Sequence, residues 1–502
     1  MRIVMLTDDG KSVDRRILLE AESLIDEGHE VIVVARQDGK APAGDRLGRV
    51  KVMWIDLDLG YLEGAFDDLG FDLAGQEGSA GLSGPRFAKL RALMVKLGIA
   101  RMTNELDLEQ ERRGAELKSG LHRFRSKFRL RLKEFKLRYI KQFWAGTAEK
   151  LAQAPTLDPE LLADLPEVNL WERALFYRTL YLDPDVIHVH DLPQLLAGVY
   201  AKRVLGVPLI YDAHEVYPQI STLTDAETRF LHSKEQLLLK YCDATITVNP
   251  YCSRLMEYCY DCKPFDIIMN ATGGDALAGF RGGFKGRLRR KLRLGQGAKI
   301  LMYQGWIADV GRGLTELVSA FAAVRPEVHL VMMGYGDVDK FHRLAREAGV
   351  ARRVHILPPV PWDELVSWSS EADAGIIPYQ PVDFNHRVCS PNKLFEFIAA
   401  RLPIICNDLP FLRQVVEGEG FGLVHSMSNA AEIAQAINRA FDPQDQVLQK
   451  AREALERRGS AWEWPVEAAK LKEIYARLPL PERYRGLSEP PKAMIDLDQL
   501  LA

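Results

Sequence analysis

Lys299 to Leu314 reads K-I-L-M-Y-Q-G-W-I-A-D-V-G-R-G-L. An apolar run of strand length leads through a glycine-bearing turn into Leu314 to Val324, an amphipathic segment of helix length. The same unit recurs on both sides. Downstream, strand-like runs are V-H-L-V-M-M (328–333), V-H-I-L (354–357), A-G-I-I-P-Y (374–379), P-I-I-C-N (403–407) and F-G-L-V (421–424). Upstream they are R-I-V-M-L (2–6), H-E-V-I-V-V-A (29–35), V-K-V-M-W-I (50–55), D-V-I-H-V-H (185–190), P-L-I-Y-D (208–212), A-T-I-T-V (244–248) and F-D-I-I-M (265–269). Near-continuous apolar strands alternating with helices predict parallel sheets covered on both faces. The expected fold class is α/β, with two Rossmann-like doubly wound domains facing across a cleft. Ligands in such sheets bind beyond the carboxyl ends of the strands.

At 502 residues the chain exceeds one core. A first domain is expected over 1–270 and a second over 271–455, joined through the Gly-rich stretch Asn270 to Gly283. A C-terminal helix (456–480) and a tail (481–502) follow. An insertion from about 60 to 166 interrupts the first domain, with a basic amphipathic helix at about 117–145. Ten Lys or Arg and one acid, Glu134, lie between Lys118 and Lys141. Leu121, Phe124, Phe128, Leu132, Phe135, Tyr139 and Phe143 form one apolar stripe. Such a helix suits an anionic membrane surface. The plainer reading packs the stripe on the domain and leaves the basic face to solvent.

Apolar content of 47% and charged content of 27% are ordinary for a globular protein, and the net charge of −3 argues against a nucleic-acid partner. The N-terminus lacks a signal peptide's pattern, and no run approaches the roughly 18 apolar residues of a membrane span. A cytoplasmic protein is expected, peripheral on the membrane face if the basic helix binds there. Six cysteines in so long a chain make no disulfide framework. Four cluster, Cys242, Cys252, Cys259 and Cys262, and C-Y-D-C resembles a zinc half-site without a partner. Reduced structural thiols are the simpler reading.

The chemistry concentrates in three places. S-P-N-K-L-F-E, Ser390 to Glu396, reads as a helix start aimed at an anion. Ser390 is expected as the N-cap and Pro391 at the first helical position. The free N–H groups from Asn392 onward and the Lys393 ammonium would meet a phosphate, and Glu396 could hold sugar hydroxyls. In the second place, Gly311 and Gly313 flank Arg312. They would let the backbone approach a ligand while Arg312 offers a fork of donors to a diphosphate. In the third, H-V-H-D-L-P (188–193) and D-A-H-E (212–215) end two neighbouring strands. His190, Asp191, His214 and Glu215 could there bind acceptor hydroxyls, move a proton or hold a metal. There is no G-x-G-x-x-G after the first strand and no G-x-x-x-x-G-K-[ST] loop, so neither a nicotinamide site nor a P-loop is supported. Asp56 and Asp58 form a D-L-D triplet at the edge of the insertion, a pattern common by chance.

Taken in order, D-R-R-I (14–17), S-L-I-D-E-G-H-E-V (23–31), H-D-L-P (190–193), L-G-V-P-L-I-Y-D-A-H-E (205–215), Y-Q-G (303–305), G-R-G (311–313), S-P-N-K-L-F-E (390–396) and S-A-W-E-W (460–464) resemble the retaining glycosyltransferases of family 4. That resemblance implies the GT-B fold and a nucleotide-sugar donor, with no metal or other cofactor required. It places Arg312 at the diphosphate-binding basic residue, Lys393 beside the diphosphate, Glu396 on the ribose and His190 near the reacting sugar. Gly305 and Ser390 to Asn392 join the donor site. It implies that the final helix, anchored by Trp462 and Trp464, crosses back onto the first domain. The chain departs from the family where the first of two paired glutamates is expected, at Val388, and where a second basic residue is expected, at Trp306. The usual glycine pair of the first loop is replaced by T-D-D-G-K-S, Thr7 to Ser12. Asn385, His386 and Arg387 are candidates to replace the missing glutamate.

The expected function is therefore transfer of a sugar to a hydroxyl of a saccharide or lipid-linked acceptor, in surface polysaccharide or glycolipid assembly. A non-catalytic nucleotide-sugar or glycan-binding protein is the alternative. A nucleotide-sugar epimerase on the same fold is a third reading.

Overall fold

The computed structural model describes residues 1–9, 13–37, 46–56, 165–166, 169–273 and 286–480. The insertion with its basic helix, apart from Leu165 and Pro166, lies outside them, as do most of the Gly-rich junction and the tail. The chain divides into two compact units. One comprises Met1–Asp212, Leu237–Thr245 and Leu478–Ala502, the other Ala213–Gln236 and Ile246–Arg477.

Fourteen strands form two sheets among the described residues. The first contains β1 (Arg2–Leu6), β2 (Glu30–Gln37), β3 (Arg46–Leu47), β4 (Val50–Asp56), β5 (Val186–His190), β6 (Leu209–Ala213), β7 (Ala244–Thr247) and β8 (Asp266–Ile267), in the order β3-β4-β2-β1-β5-β6-β7-β8. The second contains β9 (Lys299–Gln304), β10 (Val328–Met333), β11 (Val354–Leu357), β12 (Ala374–Ile377), β13 (Ile404–Asn407) and β14 (Gly422–His425), in the order β11-β10-β9-β12-β13-β14. The recorded pairings are parallel, as the apolar runs predict, apart from the two-residue β3, which pairs antiparallel with β4. Central strands are buried along their length, β5, β6, β12 and β13 entirely so. In the second sheet Leu301, Leu330, Met332 and Ile376 pack with Leu317, Phe321 and Phe341 from covering helices.

Both sheets start in the middle. In the first, the chain moves outward from β1 to one edge and returns on the other side at β5; in the second it does the same at β9 and β12. A strand-order reversal leaves a crevice beyond the carboxyl ends of the two central strands. Gln304 ends β9 beside β12, and His190 ends β5 beside β1. The polar residues of the sequence analysis therefore fall at switch points.

All six cysteines are free thiols. Cys259 and Cys262 belong to no group of metal-ligating side chains among the described residues. No helix of the described residues is long and apolar enough to cross a membrane.

Candidate active site

The site in the second unit is built from the loops after β9 and β12. The two loops lie against each other, and the glycines explain how. Gly311 and Gly313 have φ of 67° and 65°, a region glycine enters without strain. A Cβ on Gly313 would come 2.1 Å from the Pro378 carbonyl oxygen, and one on Gly311 would come 2.3 Å from His386 Nε2. The Gln380 N–H donates to the Gly311 carbonyl at 3.0 Å. The space that a Cβ would need at these glycines is filled by the protein itself. Their role is to let Pro378–Gln380 run flush against them, which lays the Arg312 guanidinium 4.6 Å from the Tyr379 ring centroid.

Lys393 meets the same ring. Its Nζ donates to the Tyr379 hydroxyl at 2.8 Å and stands 4.3 Å from that ring's centroid and 4.5 Å from that of Tyr303. The side chain is buried, with 5% exposure. Among the described residues neither Lys393 nor Arg312 has a carboxylate within ion-pair distance. Burial, then the neighbouring Arg312 charge, hold the Lys393 ammonium well below the ordinary lysine range, against a weaker opposite pull from Glu396 and Cys389. Tyr303 donates to the Trp306 carbonyl at 2.7 Å, and burial pushes its phenol up to about 12. Two cations thus share one crevice with aromatic rings in place of counter-ions.

The helix that carries Lys393 spans Asn392–Ala399, one residue later than the sequence suggested. Pro391, not Ser390, is the N-cap, and no side chain caps the helix. Pro391 itself is extended, with φ −69° and ψ 132°, so the helix starts one residue past it. The Ser390 hydroxyl is left buried with no hydrogen-bond partner among the described residues. Asn392 is exposed at the first turn. Glu396 lies on the same helix face as Lys393, three residues on. Its carboxylate accepts from the Gln304 amide, whose oxygen accepts from the Ser369 hydroxyl. Gln304 and Ser369 are buried, so the orientation of Glu396 is fixed from behind. Gly305, with φ of 115°, passes next to Lys393: a Cβ there would sit 3.7 Å from Nζ.

Val388, at the place of the missing glutamate, closes the short helix Phe384–Arg387. Its carbonyl accepts from the Asn249 amide at 2.8 Å. Asn385 Nδ2 donates to Glu215 at 2.9 Å, and its oxygen accepts from the Val216 N–H at 3.1 Å. Burial pushes the Glu215 carboxyl up, against the Asn385 hydrogen bond. His386 Nδ1 lies 2.9 Å from Asp383, and Arg387 is exposed. Of the three candidates to replace the glutamate, Asn385 and His386 are thus already engaged. His214 is half-buried on the segment before Glu215.

In the first unit, His190 is fully buried at the end of β5. Its ring stacks on His188 at 4.4 Å, and Nδ1 is 3.7 Å from Asp212. Glu20, His188, His190 and Asp212 bring metal-ligating atoms within 4.8 Å of one another. A cation of the protein already stands among them. Arg16 Nη2 reaches both Asp212 oxygens, at 2.7 and 2.6 Å, and Nε donates to Glu20 at 2.8 Å. Burial alone would lower the Arg16 pKa; the Asp212 and Glu20 carboxylates more than reverse that. Asp191, next in the chain, takes a left-handed φ of 65° and has its N–H on the Asp212 carbonyl at 2.9 Å. A non-glycine residue in that region stores strain of the kind found at functional sites.

Residues 298–442, which contain the whole Arg312–Lys393–Glu396 group, match the family described as glycosyl transferases group 1, and residues 141–272 match glycosyltransferase family 4. The chain belongs to glycosyltransferase family 4. It is 27% identical over 320 residues to the D-inositol 3-phosphate glycosyltransferase of Corynebacterium aurimucosum, covering 60% of this chain and 73% of the relative. It is 23% identical over 300 residues to a glycogen synthase of Mycobacterium tuberculosis, covering 58% of this chain and 68% of that one. Among solved structures it is similar to Anabaena HepE in complex with UDP and glucose, with a TM-score of 0.58, 13% identity and coverage of 95% and 99%. The sucrose-phosphate synthase of Thermosynechococcus elongatus gives a TM-score of 0.57 at 15% identity, with coverage of 95% and 98%. These likenesses establish the GT-B fold. The protein is a glycosyltransferase, and a nucleotide-sugar donor goes with the family.

Sequence reasoning singled out the charged residues of this glycosyltransferase and overlooked those that hold them: Tyr379, Tyr303, Gln304, Ser369 and Arg16. The available signal was modest. Tyr379 follows the strand that precedes S-P-N-K-L-F-E, and Arg16 falls on the apolar face of the helix Arg15–Asp26, beside Ile17 and Ala21.

Proposed function

We propose that this glycosyltransferase moves a hexosyl unit from a nucleoside diphosphate sugar to a hydroxyl of a saccharide or lipid-linked acceptor, with retention of anomeric configuration, in surface polysaccharide or glycolipid assembly. The observation that carries the reading is the pair of cations, Arg312 and Lys393, that share the Tyr379 ring with no carboxylate at ion-pair distance among the described residues. Charge that develops on a leaving diphosphate is what such a preorganised pair stabilises. The acceptor oxygen bonds to the anomeric carbon on the face the diphosphate leaves, the carbon–oxygen bond to phosphate breaks, and a phosphate oxygen takes the acceptor's proton. No enzymic nucleophile takes part, and with the diphosphate met by two protein cations no metal is required. Glu396, held by Gln304, takes the ribose. Asp191, His190, His214 and Glu215 serve the acceptor side. The inositol phosphate glycosyltransferases among its relatives and the UDP and glucose bound to HepE support this assignment.

A thermal-shift screen with UDP, GDP, ADP and their sugars identifies the donor, because ligand binding to the native state raises its stability. With that donor, the double substitution Arg312→Ala with Lys393→Ala is expected to lower turnover by about 10³-fold or more. Wild-type rates in the double variant would sink the assignment, and inversion at the anomeric carbon, read by NMR, would remove retention from it. Val388 and Trp306 favour a second reading, a binding protein without turnover. Transfer or hydrolysis with any nucleotide sugar in the screen excludes it. The basic stripe of the insertion supports a place at an anionic membrane surface. Unchanged flotation with anionic vesicles after deletion of 118–143 would remove that part.

A further inference from the structure

We propose that Tyr379 is a positioning residue for the donor's diphosphate: its ring and hydroxyl hold Arg312 and Lys393 side by side before the donor arrives and keep Lys393 in place on the anion once it is bound. The proposal rests on the nucleotide-sugar reading above.

Two like charges do not gather in a buried crevice unaided. The Arg312 guanidinium carbon and Lys393 Nζ lie 4.6 and 4.3 Å from the Tyr379 ring centroid, and the hydroxyl accepts from Lys393 at 2.8 Å. The negative face of an aromatic ring attracts a cation without neutralising it. A carboxylate in this place would form a permanent ion pair and compete with the diphosphate; a phenol leaves the positive charge for the ligand. The ring has 5% exposure, and its backbone is fixed. The Tyr379 carbonyl accepts from Asn407 Nδ2 at 2.7 Å, and Asn407 Oδ1 accepts from the Met427 N–H at 2.9 Å. On the other side Gly313 packs on Pro378, which sets Arg312 over the ring.

The titratable and charged groups facing Lys393 are Arg312, Glu396, Cys389, Tyr303 and Tyr379. Desolvation pushes the Cys389 thiol up to about 12, so it is neutral near pH 7. Burial and Arg312 hold the Lys393 ammonium low, and a bound diphosphate reverses that balance. Donor binding therefore takes up a proton at Lys393. The Tyr379 hydroxyl, as acceptor, favours the protonated form.

The test is UDP binding and donor turnover across pH, with titration calorimetry in buffers of different ionisation enthalpy. Wild-type protein is expected to take up a proton on binding UDP. Tyr379→Phe should bind UDP about tenfold more weakly, a loss typical of one hydrogen bond to a charged group, and should shift the fall of affinity with rising pH to lower pH. Tyr379→Leu, which also loses the ring, should bind more weakly still; if it does not fold, Tyr379→Phe decides. UDP affinity, kcat, KM and pH profile all unchanged in Tyr379→Phe would overturn the proposal, because a packing role alone predicts no shifted profile. If wild-type protein binds none of UDP, GDP, ADP or inorganic pyrophosphate, the donor reading falls and takes this inference with it. If it binds one of them and the variants bind it equally well, only the inference falls.

Discussion

Each of the two units buries a cation near a switch point, and the two are treated in opposite ways. Arg16 has 3% exposure and carries two carboxylates, one of them bidentate. Lys393 has 5% exposure and carries one phenol, with a second cation on the same ring. The first cluster is closed in the sense that its cation is paired with carboxylates of the protein, and a ligand would have to break that pairing to join it. The second is open, with positive charge held at a cost in folding free energy. That difference separates a cluster that fixes the ends of β5 and β6 from one prepared for an anion.

The largest expected effect breaks the closed cluster. Asp212→Ala takes from the buried Arg16 guanidinium the carboxylate that meets it with both oxygens, and loss of one partner of a buried pair costs about 3–5 kcal/mol. Urea unfolding should show that loss in the midpoint. A cost below about 1 kcal/mol would mean that Arg16 reaches water or a different partner, and that the two clusters are more alike than their geometry indicates.

Gly313→Ala acts on the way the open cluster is assembled. At φ of 65° an alanine costs about 1–2 kcal/mol in backbone strain, and its Cβ would meet the Pro378 oxygen at 2.1 Å, so the two loops must part. Stability should fall by about 2 kcal/mol or more, and donor affinity should fall with it as Arg312 leaves Tyr379. Normal affinity in a destabilised variant would show that Arg312 finds the diphosphate without the ring.

The two clusters also differ in how far the sequence reveals them. Lys393 and Glu396 lie within one turn of a helix, so local spacing alone puts them together. The alternation of apolar runs likewise reveals the parallel sheets. Tyr379 is harder to see because its role depends on Pro378–Gln380 lying flush against Gly311–Gly313, more than sixty residues earlier; that register is tertiary. His190 reads correctly as a polar residue at a strand end. Arg16, which shares Asp212 with it, comes from a helix far upstream, where charge on an apolar face is the single clue. Ser390 satisfies the composition rule for an N-cap, but Pro391 takes that place with an extended ψ of 132°, which residue type alone does not reveal.

The smallest effect tests the open cluster through pH. Lys393 titrates well below its ordinary value in the folded protein because burial and Arg312 disfavour its charge. Between its folded pKa and 10.5, the ordinary value for lysine, the unfolded chain binds the proton and the folded chain does not. Stability must then rise with pH across that window and fall as pH drops through the folded value. Arg16, with a pKa raised above an already high one, stays charged in both states over this range and contributes no slope. Unfolding midpoints of the unliganded protein should therefore climb with pH up to about pH 10 relative to those of Lys393→Met, from the folded pKa upward. The methionine variant should lie within about 1 kcal/mol of wild type or above it at pH values below the folded pKa, where an unpaired buried charge is exchanged for an apolar side chain of similar length. It should bind no UDP. Saturating UDP should flatten the wild-type climb, because the diphosphate keeps Lys393 protonated in the folded state. A slope identical in Lys393→Met and wild type would mean that the charge on Lys393 is already compensated, and that the second cluster is as closed as the first.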